Sequence, residues 1–173
     1  FQFGTIEHDG EQFQTISFPG CGYTAEEGKP QLPVTGTLLG VPMDAEFNLQ
    51  IVESDYSILS NHKIYPVPKL VVRKSELFNE YSDIEFYFDK PFYAINSFYP
   101  HELVELGFTG FIRDSKVLQV QFHPVQYNPA TQTVKLYSRL IAKVTFRHTS
   151  SRSENANMAP ANDQGLQRPE SPF

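Results

Sequence analysis

The chain has 173 residues and a mass of 19.7 kDa, the size of one ordinary domain with room for a tail, and its 40% of hydrophobic residues suffices for a core. Fourteen Lys and Arg against 20 Asp and Glu give a net charge of −6, which argues against the basic face of a nucleic-acid binder and gives no support for binding anionic membranes. The single cysteine, Cys21, excludes an internal disulfide and a Cys-rich zinc site, and no apolar run reaches the roughly 18–20 residues that span a bilayer.

Phe (15), Tyr (9) and Pro (13) are abundant and Trp is absent. Aromatic side chains suit pleated, half-buried surfaces and prolines interrupt helices, so the expectation is a mostly β domain. Phe1 stands first, with no basic-then-apolar leader, and the chain reads as a processed or cut piece of a longer one. Glu11 to Phe18 reads as a strand, ended by Pro19, Gly20 and Gly22. The polar loop Thr24 to Thr35 contains Gly28-Lys29-Pro30-Gln31-Leu32-Pro33, whose prolines impose extended backbone suited to a sheet edge. Thr37 to Val41 is a short apolar run stopped by Pro42. Phe47, Leu49 and Ile51 alternate with polar residues at the two-residue period of a half-buried strand. Ile64 to Pro68 is extended, Ile84, Phe86 and Phe88 alternate, and Phe111-Ile112 precede a polar turn at Arg113 to Lys116. Leu118, Val120 and Phe122 alternate in turn, and Val134, Leu136 and Leu140 to Phe146 complete the strands. Turn signals at these intervals predict an antiparallel β-sandwich.

Helix signals are sparse. Ser75 to Asp83 predicts a turn or two with Ser75 as cap, and Pro100 to Gly107 a short helix with Pro and Glu in its first turn. Residues 148–173 lack periodicity and, apart from Thr149, β-branched residues, so they predict a flexible, disordered tail or linker beyond a domain of residues 1–147.

No catalytic constellation is visible. The histidines His8, His62, His101, His123 and His148 form no HxxxH or HExxH pair, and no GxSxG, GxGxxG or P-loop occurs. Cys21 lies between glycines without an activating neighbour in sequence, so it reads as an incidental thiol rather than a nucleophile. Asp114 beside Arg113 reads as a turn residue, and Asp44, Glu46 and Asp55 do not have calcium-loop spacing. The expectation is a β domain that is not an enzyme and uses no metal or cofactor.

One stretch is more specific. Pro124-Val125-Gln126-Tyr127-Asn128-Pro129, followed by Ala130 to Tyr137, is a strand end, an Asn-Pro turn and a return strand. It resembles the propeptide domain of the gingipain family of cysteine peptidases, where a P-x-Q-Y-N-P turn precedes a similar strand. Gly28 to Pro33 is similar to the family's G-x-P-x-L-P segment, Ile64 to Pro66 to its I-x-P strand, and Phe98-Tyr99-Pro100 to its aromatic-aromatic-Pro step. Phe111 to Asp114 resembles the strand leading to the Q-Y-N-P hairpin, and the ordered set covers roughly residues 11–147.

The resemblance implies a β-sandwich that precedes a cysteine protease in a precursor, aids its folding and inhibits the zymogen until it is cleaved away. The partner is then the cognate protease catalytic domain, secreted or at a bacterial cell surface. Arg152 and Arg168 become possible processing sites, although both also read as ordinary solubilising residues. In that family an inhibitory loop after the I-x-P strand inserts a basic residue into the specificity pocket. Here the segment is Val67-Pro68-Lys69-Leu70-Val71-Val72-Arg73-Lys74, and Arg73 falls at the matching position, next to Val72. Lys74 and Lys69 are alternatives, and the plainer reading has Arg73 closing a strand in solvent. The competing function is a non-catalytic adhesion or carbohydrate-binding module whose aromatic rings stack on sugars.

Overall fold

The computed structural model describes residues 1–73 and 81–148; Lys74, Arg152, Arg168 and the expected tail after His148 lie outside the described residues. In chain order the strands are β1 (Gln2–His8), β2 (Glu11–Ser17), β3 (Gly22–Tyr23), β4 (Pro33–Gly40), β5 (Ala45–Leu59), β6 (Lys69–Arg73) and β7 (Tyr81–Glu85). After the single-turn helix α1 (Lys90–Tyr93) come β8 (Val104–Ile112), β9 (Ser115–Phe122), β10 (Val125–Asn128) and β11 (Thr133–His148). The larger sheets run β3-β4-β9-β8 and β10-β11-β5, and β1-β2 and β6-β7 are two-stranded ribbons. Every one of these strand pairs is antiparallel, giving the all-β sandwich that the alternation predicts.

Both helix expectations are corrected. Ser75 to Asp83 ends in strand, since β7 begins at Tyr81; its earlier residues lie outside the described ones. Pro100 to Gly107 is not helical, because Val104, Glu105 and Leu106 pair with Phe122, Gln121 and Val120 across the β8–β9 ladder. The helix that forms, α1, has Asp89 as its cap, with Oδ1 accepting from Phe92 N at 3.1 Å, and Pro91 in its first turn. β1 is an unpredicted strand. It joins β2 through Asp9 and Gly10, with φ of 48° and 77°, the left-handed pair that a two-residue hairpin demands.

The core is where four of the five resemblance motifs converge, while Phe111 and Ile112 of the fifth stay exposed. Ile16, Leu32, Ile64, Tyr99, Val125, Tyr127, Val134 and Leu136 form its buried cluster, flanked by Leu59, Phe92 and Tyr93. The Gly28–Pro33 and Ile64–Pro68 segments are zipped together by Gly28 N to Val67 O and Val67 N to Lys29 O (2.8 Å each) and Gln31 N to Tyr65 O (2.9 Å). Gly28 has φ of 78°, and a Cβ there would fall 2.6 Å from the Tyr87 ring, so only glycine serves. Tyr99 and Tyr127 exchange backbone hydrogen bonds of 2.9 and 2.8 Å. Gln126 Nε2 donates to the Pro100 carbonyl at 2.7 Å and its Oε1 accepts from Tyr137 Oη at 2.8 Å. Asn128 Nδ2 donates to Asn96 Oδ1 at 2.8 Å. Gln126, Tyr127 and Asn128 are all buried, so this hairpin is a structural lock on the 96–100 loop.

Candidate functional site

The β6–β7 ribbon leaves the core directly after the zipped Ile64–Pro68 segment. Its register sets Lys69 opposite Glu85, Leu70 opposite Ile84, Val71 opposite Asp83, Val72 opposite Ser82 and Arg73 opposite Tyr81. Side chains alternate between faces, so Lys69, Val71, Arg73, Asp83 and Glu85 share one face and Leu70, Val72 and Ile84 the other. The second face is apolar and open: Leu70 is 59%, Val72 65% and Ile84 68% exposed. Leu70 N donates to Glu27 Oε1 at 3.1 Å, tying the ribbon to the Thr24–Thr35 loop.

The first face carries charge. Arg73 Nε lies 2.9 Å from Asp83 Oδ2, and its Nη2 pairs with Glu85 Oε1. Close to half of the Arg73 side chain stays in solvent (46%). Of the sequence-predicted residues, Arg73 thus closes β6, Val72 points to the opposite, apolar face, and Lys69 stands at the other end of β6. Lys69 and Arg73 share a face yet are separated by the length of the strand, about 13 Å at 3.3 Å per residue. Asp83 and Glu85 went unnoticed in the sequence. The available signal was a complementary hairpin pattern, two carboxylates two residues apart facing a strand with Lys and Arg at its ends.

Two of the cavities among the described residues lie away from this ribbon and carry titratable groups. The larger, about 450 Å³, is lined among others by Glu26, Lys29, Phe92, Tyr99, Glu105 and His123. Lys29 fills much of its chemistry, sitting 5.0 Å over the Phe92 ring and 5.6 Å over Tyr99 while pairing with Glu26. The Lys29 hydrogen bond holds the Glu26 carboxyl below its ordinary range. Burial pushes the His123 imidazole down, against the opposing pull of Glu105, whose Oε1 is 3.5 Å from Nε2. The second cavity, about 340 Å³, includes His8, Phe13, Lys63, Phe86 and Phe88. Phe13, Phe86, Phe88, Tyr93 and Tyr127 make a chain of ring contacts with centroids 5.5, 6.5, 4.1 and 6.3 Å apart. These aromatics are used in packing against one another. Cys21 is partly buried, with its Sγ accepting from Phe18 N at 3.5 Å. Among the described residues no group of three His, Cys, Asp or Glu is placed to hold a metal ion, and no helix is long and apolar enough to cross a membrane.

Known proteins align with this arrangement. The family model Propeptide_C25 matches residues 1–162. Gingipain R1 of Porphyromonas gingivalis is 29% identical over 131 residues, 76% of this chain but 12% of that protein. Lys-gingipain of Porphyromonas gingivalis is 24% identical over 144 residues, 82% of this chain and 8% of that protein. The chain therefore spans a small fraction of these relatives. A solved complex of Porphyromonas gingivalis RgpB pro- and mature domains contains a chain similar to this one at TM-score 0.71 and 25% identity, covering 86% of this chain and 73% of that one. A structure concerning zymogenic latency of gingipain K from Porphyromonas gingivalis shares the fold at TM-score 0.67 and 23% identity, covering 84% and 80%.

Proposed function

The chain belongs to the Propeptide_C25 family, and from that membership we propose that it is the propeptide of a gingipain-like cysteine protease, inhibiting the zymogen and aiding its folding. In this reading it is not an enzyme. Its partner is the catalytic domain of the same precursor, secreted or at the bacterial cell surface. Residues 1–147 are the domain and 148–173 the connection, with Arg152 and Arg168 as processing sites. Likeness to a pro-domain solved with its mature domain supports the partner, and the identity to Gingipain R1 supports the protease class.

The inhibitory element is the β6–β7 ribbon, and Arg73 is the basic residue that enters an acidic specificity pocket. The observation that carries this is the position of Arg73 at the end of β6, half open to solvent on an exposed ribbon that follows the Ile64–Pro66 strand. A guanidinium keeps its charge and offers five donors in a planar fork, which suits a desolvated carboxylate. Lys74 and Lys69 are the competing anchors.

The test is an inhibition constant against that catalytic domain. Leaving a buried charge unpaired costs about 2–5 kcal/mol. At about 1.4 kcal/mol per tenfold, Arg73→Ala should weaken inhibition at least ~25-fold, and Arg73→Lys should fall between, while Lys74→Ala should resemble wild type. A folded Arg73→Ala chain that inhibits like wild type places the anchor elsewhere. If no variant binds the protease, the propeptide reading fails and the surface-module reading takes its place.

A further inference from the structure

We propose that Asp83 and Glu85 are positioning residues that park the Arg73 guanidinium along the ribbon, so that docking into a partner's acidic pocket is an exchange of carboxylates. The inference rests on the reading of Arg73 as the anchor.

The geometry is directional. Arg73 stands opposite Tyr81 at the end of β6, yet its guanidinium contacts residues two and four positions further along β7. The side chain therefore lies back over the ribbon toward its base, away from the segment that joins the two strands. Glu85 takes Arg73 although its direct cross-strand neighbour is Lys69. Asp83 engages Nε and Glu85 engages Nη2, so two donor nitrogens of the guanidinium are held at once by two carboxylates. Both carboxylate side chains are nearly half exposed, at 46% and 47%, so the parked state is a shallow one rather than a buried pair. Exposed pairs of this kind are weak singly. Two of them together bias an equilibrium by about 2- to 25-fold. That is enough to hold the anchor down in the free domain and too little to resist a desolvated pocket carboxylate. The parked state also discriminates. A partner offering only a solvated or single carboxylate gains nothing over what Asp83 and Glu85 already provide.

The test uses the full chain carrying Asp83→Asn and Glu85→Gln together, with the catalytic domain of the same precursor as the probe. Inhibition should tighten by about 2- to 25-fold, and the gain should vanish when the same pair of substitutions is made on Arg73→Ala. A second readout needs no protease: the Arg73 Nε–H resonance in the free domain should lose its hydrogen-bonded shift in the double variant. Unchanged or weaker inhibition by the double variant, while Arg73→Ala still loses inhibition, overturns this inference alone. Equal tightening in the Arg73→Ala background makes it a net-charge effect and also overturns it. Wild-type inhibition by Arg73→Ala overturns the anchor reading and this inference with it. A wild-type Nε–H resonance that does not respond to Asp83→Asn overturns the parked state itself.

Discussion

Tyr127 offers the sharpest test of what holds the domain together. Its side chain is fully buried, its ring meets Tyr93 at 6.3 Å between centroids, and its backbone locks to Tyr99. Truncation to alanine removes the ring from the centre of the buried cluster and leaves a cavity, a change that costs about 3–5 kcal/mol for core aromatics. The hydroxyl is a different matter. The nearby Ile64 carbonyl accepts from Tyr93 Oη at 2.8 Å, and among the described residues Tyr127 Oη makes no hydrogen bond of good geometry. Tyr127→Phe deletes a buried polar atom with no bond to lose, so it should lie within about 1 kcal/mol of wild type, on the stabilising side. In urea, with a slope of about 2 kcal/mol per M, Tyr127→Ala should lower the midpoint by about 1.5–2.5 M and Tyr127→Phe by none. A Tyr127→Phe midpoint as low as that of Tyr127→Ala would show that the hydroxyl, not the ring, is what the core needs. An unchanged Tyr127→Ala midpoint would remove the hairpin from the core altogether.

Three further outcomes are expected. His123 has its folded pKa depressed chiefly by burial, so the unfolded chain binds the extra proton first; its contribution to stability is complete above about pH 6.5 and is lost as pH falls below that. Melting temperatures from pH 8 to 5 should show this decline, and His123→Gln should flatten it. Deleting residues 149–173, which leaves β11 whole, should shift the melting temperature by less than about 2 °C, below the roughly 2–4 °C per kcal/mol expected of a lost packing contact; a fall of several degrees would give the tail a structural role. The purified chain should hydrolyse no peptide, and activity that persists through repurification and disappears in Cys21→Ala would contradict the non-catalytic reading.

The first part of β5 was legible because alternation and burial coincide there. Phe47 and Leu49 are half-buried between exposed Glu46, Asn48 and Gln50, as period two requires. β1 escaped because its apolar residues Phe3 and Ile6 do not alternate cleanly and remain largely exposed, although Asp9-Gly10 marked the hairpin. The false helix at Pro100 to Gly107 carried genuine local end signals, and they lost to a ladder with β9 that lies a dozen or more residues downstream. Arg73 was legible only through the resemblance, which sets a basic residue after the I-x-P strand. Its carboxylate partners were not, because hairpin register and the lean of a long side chain are tertiary facts. The convergence of Gly28–Pro33, Ile64–Pro68, Phe98–Pro100 and Gln126–Pro129 on one core was equally invisible, since nothing in their order along the chain states their proximity.

Among the described residues the β6–β7 ribbon shares a sheet with no other strand, and beyond its own ladder and ion pairs Leu70 N ties it to Glu27. If the ribbon is the inhibitory element proposed above, scaffold and recognition element are separable. Residues at Leu70, Val72, Arg73, Asp83, Ile84 and Glu85 can drift to suit a new partner while the locked core around Tyr127 is left alone. A fold of this kind can be retargeted by rewriting one short appendage, and grafting a foreign ribbon between Pro68 and Phe86 is the engineering counterpart of that freedom.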